Sequence, residues 1–176
     1  MPIYHTLKEN FRVWSEAEVR NIIENCDPRL APIIAAAWIT GARIGEIMNM
    51  KSEDVIVVGD EVKLIMMTEK VAGRPLREYT LSTQTPLLME FVIGRDGWTR
   101  PKFGVRRAEQ MLMEGSIKAG SRVVFHEFRH SRNTYIARVL RGSMSELMDW
   151  NGWKTTSQIG TYLIRESPKR FKDMIK

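Results

Sequence analysis

The sequence predicts an α+β domain, mainly helical, with a small three-stranded antiparallel sheet inserted early. Three observations predict it. Apolar residues recur at helical spacing on both sides of the stretch Val55 to Leu81; within that stretch the spacing changes to strand period; and 176 residues suit one core. At this length a fold buries roughly 70% of the surface its extended chain exposes, so neither a metal nor a disulfide is needed to hold it.

The elements follow in order. Ser15 and Glu18 stand in S-x-x-E spacing, a capping box, ahead of Val19, Ile22 and Ile23 on one stripe, which predicts a helix over Trp14 to Asn25. Asp27 and Pro28 interrupt it. Small and apolar residues from Pro32 to Thr40 then read as a buried helix, with Pro32 tolerable in its first turn. After Gly41, the segment Arg43 to Met50 continues in helical period with Ile44, Ile47 and Met48 inward and Arg43 and Glu46 on another face. Val55 to Val58 and Val62 to Met67 flank Gly59-Asp60, a two-residue turn signal, and Leu76 to Leu81 follows the turn Ala72-Gly73-Arg74-Pro75. Helical pattern returns over Pro86 to Ile93, Phe103 to Lys118 and Phe125 to Leu140. Ser143 and Glu146 form a second capping box for a short helix ended by Gly152, and Thr155 to Leu163 completes the set before a charged tail. No repeat or linker interrupts the chain, so one domain over residues 1–176 is expected. The many methionines, among them Met66, Met67, Met111 and Met113, read as core filler.

Lys and Arg number 27 against 21 Asp and Glu, a formal charge of +6. With a pI near 9.6, a polyanion such as nucleic acid is a reasonable partner. A lone Cys26 excludes an internal disulfide framework and points to a reducing compartment. The first ten residues lack the order of a signal peptide, and the longest apolar run, around Pro32 to Ile39, is too short to cross a bilayer. A cytoplasmic chain without a membrane partner is expected, and nucleoid-associated if the resemblance described below holds.

Three groups of residues could carry chemistry: Arg43 within Gly41-Ala42-Arg43-Ile44-Gly45-Glu46, the run His126-Glu127-Phe128-Arg129-His130, and Tyr162 after Gly152-Trp153. Each also has a plainer reading. Arg43 and Glu46 at i,i+3 resemble an ordinary surface pair, and a single tyrosine usually packs. His126 and His130 satisfy the H-E-x-x-H spacing of a zinc hydrolase helix, with Glu146 available as a third ligand. Arg129, however, lies within a turn of both imidazoles and would stand unfavourably beside a dication. Read instead as His126-x-x-Arg129, the same helix presents an imidazole and a guanidinium on one face, which suits a phosphate oxygen and a proton.

Together these residues resemble the catalytic domain of the tyrosine recombinase (phage-integrase) family. The A-R-x-x-E context is matched by Arg43 and Glu46, a hairpin lysine by Lys70, the H-x-x-R-H helix by His126, Arg129 and His130, and the pair before the nucleophile by Gly152 and Trp153, nine residues ahead of Tyr162. Trp153 replaces the commoner histidine; its indole N–H can donate to phosphate but cannot exchange a proton at neutral pH. Lys63 and Arg74 share the hairpin with Lys70 and are its alternatives.

The resemblance implies metal-independent, cofactor-free cleavage and rejoining of double-stranded DNA through a 3′-phosphotyrosyl intermediate. In that scheme Tyr162 is the nucleophile, His126 its base or hydrogen-bonding partner, and Lys70 the acid. Arg43 and Arg129 hold the phosphate while Trp153 positions it. Glu46 and His130 support from behind. Arg74, Arg100, Lys102, Arg106 and Arg107 contact DNA, and Lys169, Arg170 and Lys172 lie in a tail that relatives often dock on a neighbouring protomer. The resemblance further implies a homo-oligomer on DNA, a tetramer in strand exchange, in an integrase of a mobile element, virus or plasmid. The family's N-terminal core-binding domain is absent here, so the chain is expected to be a fragment or a minimal version, served by a separate DNA-binding domain. Relaxation of DNA by a type IB topoisomerase uses a similar constellation and is the alternative within the same chemistry, as the zinc hydrolase is outside it.

Overall fold

Ser15 caps the first helix as its spacing predicts. In the computed structural model, which describes residues 12–68, 73, 75–140 and 143–153, the Ser15 hydroxyl accepts from the Glu18 N–H at 3.2 Å and the Glu18 carboxylate accepts from the Ser15 N–H at 2.8 Å. Helix α1 (Glu16–Asn25) buries Val19, Ile22 and Ile23. Such a cap is worth about 1 kcal/mol. A short 3-10 turn over Pro28–Leu30, capped by Asp27, leads into α2 (Ala31–Thr40), one residue earlier than Pro32 suggests. Eight of the ten residues of α2 are buried, and α1 packs against it. Gly41, left-handed at φ 67°, ends it, and α3 (Ile44–Asn49) begins three residues later.

The strands β1 (Val55–Val58), β2 (Glu61–Met67) and β3 (Leu76–Ser82) form one antiparallel sheet in the order β1-β2-β3. Val62, Leu64 and Met66 alternate onto the buried face of β2, and α3 packs on that strand. The β2–β3 register places Leu64 opposite Tyr79 and Met66 opposite Arg77. At the open end of this hairpin Thr68 N–H donates to Pro75 O at 3.0 Å, which fixes the base of the loop between them.

Beyond the sheet the segment expected as a helix over Pro86 to Ile93 is a single π-helical stretch, Leu88–Ile93, entered through Leu87 at φ 66°. Helix α4 (Val105–Lys118) starts at its N-cap Gly104 rather than at Phe103. The helix expected over Phe125 to Leu140 is α-helical only in α5 (Phe125–Thr134) and continues as a π-helical turn, Tyr135–Val139. The second capping box is present: Ser143 and Glu146 exchange bonds at the start of α6 (Met144–Asn151), which Gly152 ends in the left-handed region. The helix expected over Thr155 to Leu163 lies outside the described residues.

The chain divides into two compact units, Met1–Arg132 and Asn133–Lys176. In the first, Phe128 packs edge-on against Trp14 (centroids 6.4 Å) and Phe125 (6.3 Å), and Trp14 N–H donates to Ser131 Oγ at 2.8 Å. In the second, the Asn151 side chain donates to Asn133 Oδ1 at 2.8 Å and Leu147 O at 2.9 Å, a buried polar link across its helices. Among the described residues no helix is long and apolar enough to cross a membrane.

Candidate functional site

Gly41 brings the two arginine motifs together. Its φ of 67° suits glycine, and a Cβ built there would lie 2.9 Å from Arg132 Cβ and 3.6 Å from Arg129 Cα, so α5 approaches the end of α2 as closely as backbones allow. Across 88 residues of sequence, Arg129 Nη1 then donates to Gly41 O at 2.8 Å, and Arg132 Nε donates to Trp38 O at 3.0 Å. Arg43 caps α3 two residues beyond Gly41. Glu46 grips it from both ends, accepting from the Arg43 N–H at 3.0 Å and from Nη1 at 3.3 Å. Glu46 is 1% exposed and the Arg43 side chain 25%, so the plainer reading of an ordinary surface pair gives way to an anchored guanidinium with its carboxylate sealed beneath it.

Arg129 is 5% exposed. Burial, and after it the charge of Arg43, pull its pKa down to about 10, with Arg77 acting in the same direction and Glu46 against it. It remains a cation at neutral pH. Two guanidinium groups close enough to feel each other repel, and the Glu46 carboxylate, paired with Arg43, offsets part of that repulsion.

His126 is exposed, one turn before His130, and the two rings meet edge to face with centroids 4.5 Å apart. Burial, then the neighbouring His126 and Arg129, hold His130 down to about pKa 4. The folded protein thus keeps His130 neutral where the unfolded chain, with an ordinary value of 6.5, has already taken a proton. Stability contributed by this residue is present above the unfolded value and is lost as pH falls from about 6.5 towards 4, at up to about 1.4 kcal/mol per pH unit. Urea unfolding of His130→Gln and the unmodified chain at pH 7 and pH 5 checks this: the variant is expected to lose less stability over that interval.

Arg77 and Tyr79 belong to no motif in the sequence, and the structure adds them to the site. Arg77, Tyr79 and Leu81 share the inward face of β3, and Tyr79 is buried, its pKa raised by desolvation against the charges of Arg77 and Arg129. The signal lies in the strand alternation, which puts an arginine in phase with a tyrosine and a leucine. Lys63 points the other way, to the outer face, and is paired with Glu78 at 3.1 Å. It is therefore remote from the face that carries Arg77 and Tyr79.

Arg100, Lys102, Arg106 and Arg107 are exposed, as a contact surface requires. Arg100 donates to Asn49 Oδ1 at 3.1 Å. Arg106 and Arg107 occupy the first turn of α4, which holds no acidic residue although the helix dipole favours one there. In the second unit the Trp153 N–H donates to Met148 O at 3.0 Å, closing α6. Lys70, Arg74 and Tyr162, and the tail with Lys169, Arg170 and Lys172, lie outside the described residues. Among the described residues no group of three or more His, Cys, Asp and Glu side chains is placed to hold a metal ion, and the Glu146 carboxylate accepts from the Ser143 N–H at 2.6 Å.

No protein-family model matches the chain, and no curated protein does. Solved structures do. XerH site-specific recombinase in a post-cleavage complex with a palindromic difH substrate matches with a TM-score of 0.65 at 16% identity, over 93% of this chain and 52% of that one. XerA recombinase matches with 0.63 at 20%, over 91% and 63%. A lambda integrase dimer bound to a COC′ core site matches with 0.62 at 17%, over 86% and 47%. The chain thus spans roughly half to under two thirds of the length of these proteins. A three-stranded antiparallel sheet set among helices, with Arg43 and Arg129 docked through Gly41, is accordingly the fold of a tyrosine recombinase catalytic domain.

Proposed function

We propose that the chain is the catalytic domain of a site-specific DNA recombinase or integrase, which cleaves and rejoins DNA through a 3′-phosphotyrosyl intermediate on Tyr162. The observation that carries this reading is the forced proximity of Arg129 and Arg43, with the buried carboxylate of Glu46 beside them. Such a pair is preorganised to stabilise negative charge growing on the non-bridging oxygens of a phosphodiester. His126, exposed three residues before Arg129 on α5, is the proton partner in this reading.

The Tyr162 oxygen attacks phosphorus, the bond to the 5′ oxygen breaks, and the phenol proton passes to His126. Lys70 protonates the departing 5′ oxygen. The phosphotyrosyl bond retains the energy of the broken one, so a 5′ hydroxyl can reverse the step without ATP. Trp153 donates to the phosphate. The exposed Arg100, Lys102, Arg106 and Arg107, together with Arg74, follow the DNA backbone, and strand exchange takes place in a homo-oligomer on paired sites. The fold relatives with a difH substrate and a COC′ core site support this reading, as does the basic first turn of α4.

Incubation with nicked suicide duplexes, followed by a denaturing gel, tests the proposal. A covalent protein–DNA adduct is expected, undiminished by excess chelator because arginines and a lysine supply the positive charge. Absence of adduct on any duplex would overturn the proposal, and recombination of paired sites, rather than mere loss of supercoils, separates recombinase from topoisomerase.

A further inference from the structure

Strand β3 brings a third guanidinium to this site. Arg77 stands opposite Met66 and Tyr79 opposite Leu64, both partners on the buried face of β2, so the Arg77 side chain runs along the core side of the sheet. Its guanidinium carbon lies 4.8 Å from the centroid of the Tyr79 ring, a stacking contact that fixes its direction. Its Nη1 atom is buried and has no hydrogen-bond partner among the described residues. A buried N–H of a charged group without an acceptor is among the costlier features of a fold. Arg77 is also near enough to Arg129 for the two charges to oppose each other, as Arg43 and Arg129 do. Arg43 and Arg77 thus both oppose the charge of Arg129, and the carboxylate of Glu46 favours it. Stacking on Tyr79 orients Arg77 but neutralises nothing.

We infer that Arg77 is a third phosphate-binding residue, its buried Nη1 donating to a non-bridging oxygen of the phosphodiester that Arg43 and Arg129 hold. The inference rests on the phosphodiester reading of the site and widens the anion cradle from two guanidinium groups to three. It also accounts for Tyr79, whose ring is the platform that aims Arg77. A purely structural Arg77 makes the opposite demand, since its removal would then weaken the fold and leave anion binding alone.

Inorganic phosphate is the probe, titrated into the full chain at low ionic strength and followed by phosphorus NMR, with Tm recorded in its presence and absence. Arg77→Gln is expected to weaken phosphate binding about tenfold or more, the usual weight of a charge-assisted hydrogen bond. Its Tm without phosphate should be unchanged or higher, because repulsion among the arginines is relieved. Arg77→Lys keeps the charge without the planar fork and should fall between. Arg29→Gln, removing an exposed arginine paired with Asp27, should behave as the unmodified chain. The inference is overturned if the unmodified chain binds no phosphate, or if Arg77→Gln binds it within about twofold of the unmodified chain when a charge-assisted bond should be lost. Should Arg77→Gln fail to fold, Arg77→Lys decides: unaltered phosphate affinity overturns the inference. An Arg77-dependent phosphate affinity without any DNA adduct refutes the recombinase reading alone, and adduct formation with phosphate affinity indifferent to Arg77 refutes this inference alone.

Discussion

Replacement of Tyr162 by phenylalanine is expected to abolish the covalent adduct and to leave DNA binding and folding close to those of the unmodified chain. The change removes one oxygen and keeps the ring, so packing that involves the ring survives. The nucleophile does not. A phenol with an ordinary pKa of about 10 is mostly protonated at neutral pH, and its reactivity depends on a proton acceptor and on positive charge nearby. No other side chain of the proposed mechanism can take over the displacement: arginine is never a nucleophile at neutral pH, and a histidine adduct would be acid-labile where a phosphotyrosyl bond is stable. The measurement is a denaturing gel of Tyr162→Phe on a suicide duplex beside a gel-shift titration of the same variant. Adduct from the phenylalanine variant would mean that the spacing from Gly152-Trp153 has been counted to the wrong residue.

Lys70→Ala is expected to slow cleavage of ordinary DNA by about 10²–10⁴, the usual contribution of a positioned general acid. An expelled 5′ alkoxide is a poor leaving group, and protonation as the bond breaks is what makes it leave. With sulfur in the bridging 5′ position the departing group is a thiolate, whose conjugate acid has a pKa near ~8.5 by analogy with cysteine. It needs no proton. Lys70→Ala should therefore cleave the sulfur substrate nearly as fast as the unmodified chain, whereas Arg43→Ala should stay slow on both, since its role is charge stabilisation. Equal defects of Lys70→Ala on the two substrates would remove Lys70 from the acid's role. The structure narrows what would then be tried: Lys63 is committed to Glu78 on the outer face of the sheet, which leaves Arg74 for the same comparison.

Legibility in the sequence follows the range of the forces involved. Both capping boxes are local and readable, because Ser15 with Glu18 and Ser143 with Glu146 complete their bonds within one turn. The hairpin around Gly59-Asp60 is equally plain, and its register runs from Val58 opposite Glu61 as that turn requires. The π-helical segments are not. Over six residues, Leu88–Ile93, apolar spacing does not distinguish i→i+4 from i→i+5 bonding, and the left-handed Leu87 that starts the segment is unusual for a bulky residue. In the site, Arg43, Glu46, His126 and Arg129 stand out because each belongs to a short motif. Arg77 does not, because what makes it notable comes from elsewhere: Met66 across the ladder, Tyr79 two residues on, and Arg129 from α5. The burial of Glu46 is likewise invisible at i,i+3 spacing, which an exposed pair shares.

The junction at Gly41 bears on how far such a sequence can drift. The gap between the two arginine motifs is set by a carbonyl oxygen and by the absence of a Cβ, which are properties of the main chain. Replacement of surrounding apolar side chains leaves both untouched, while one added carbon at position 41 would part the two arginine motifs. A sequence under this constraint can change most of its letters and yet keep the spacing. The matched structures, at 16–20% identity and TM-scores of 0.62–0.65, share this fold with few letters in common.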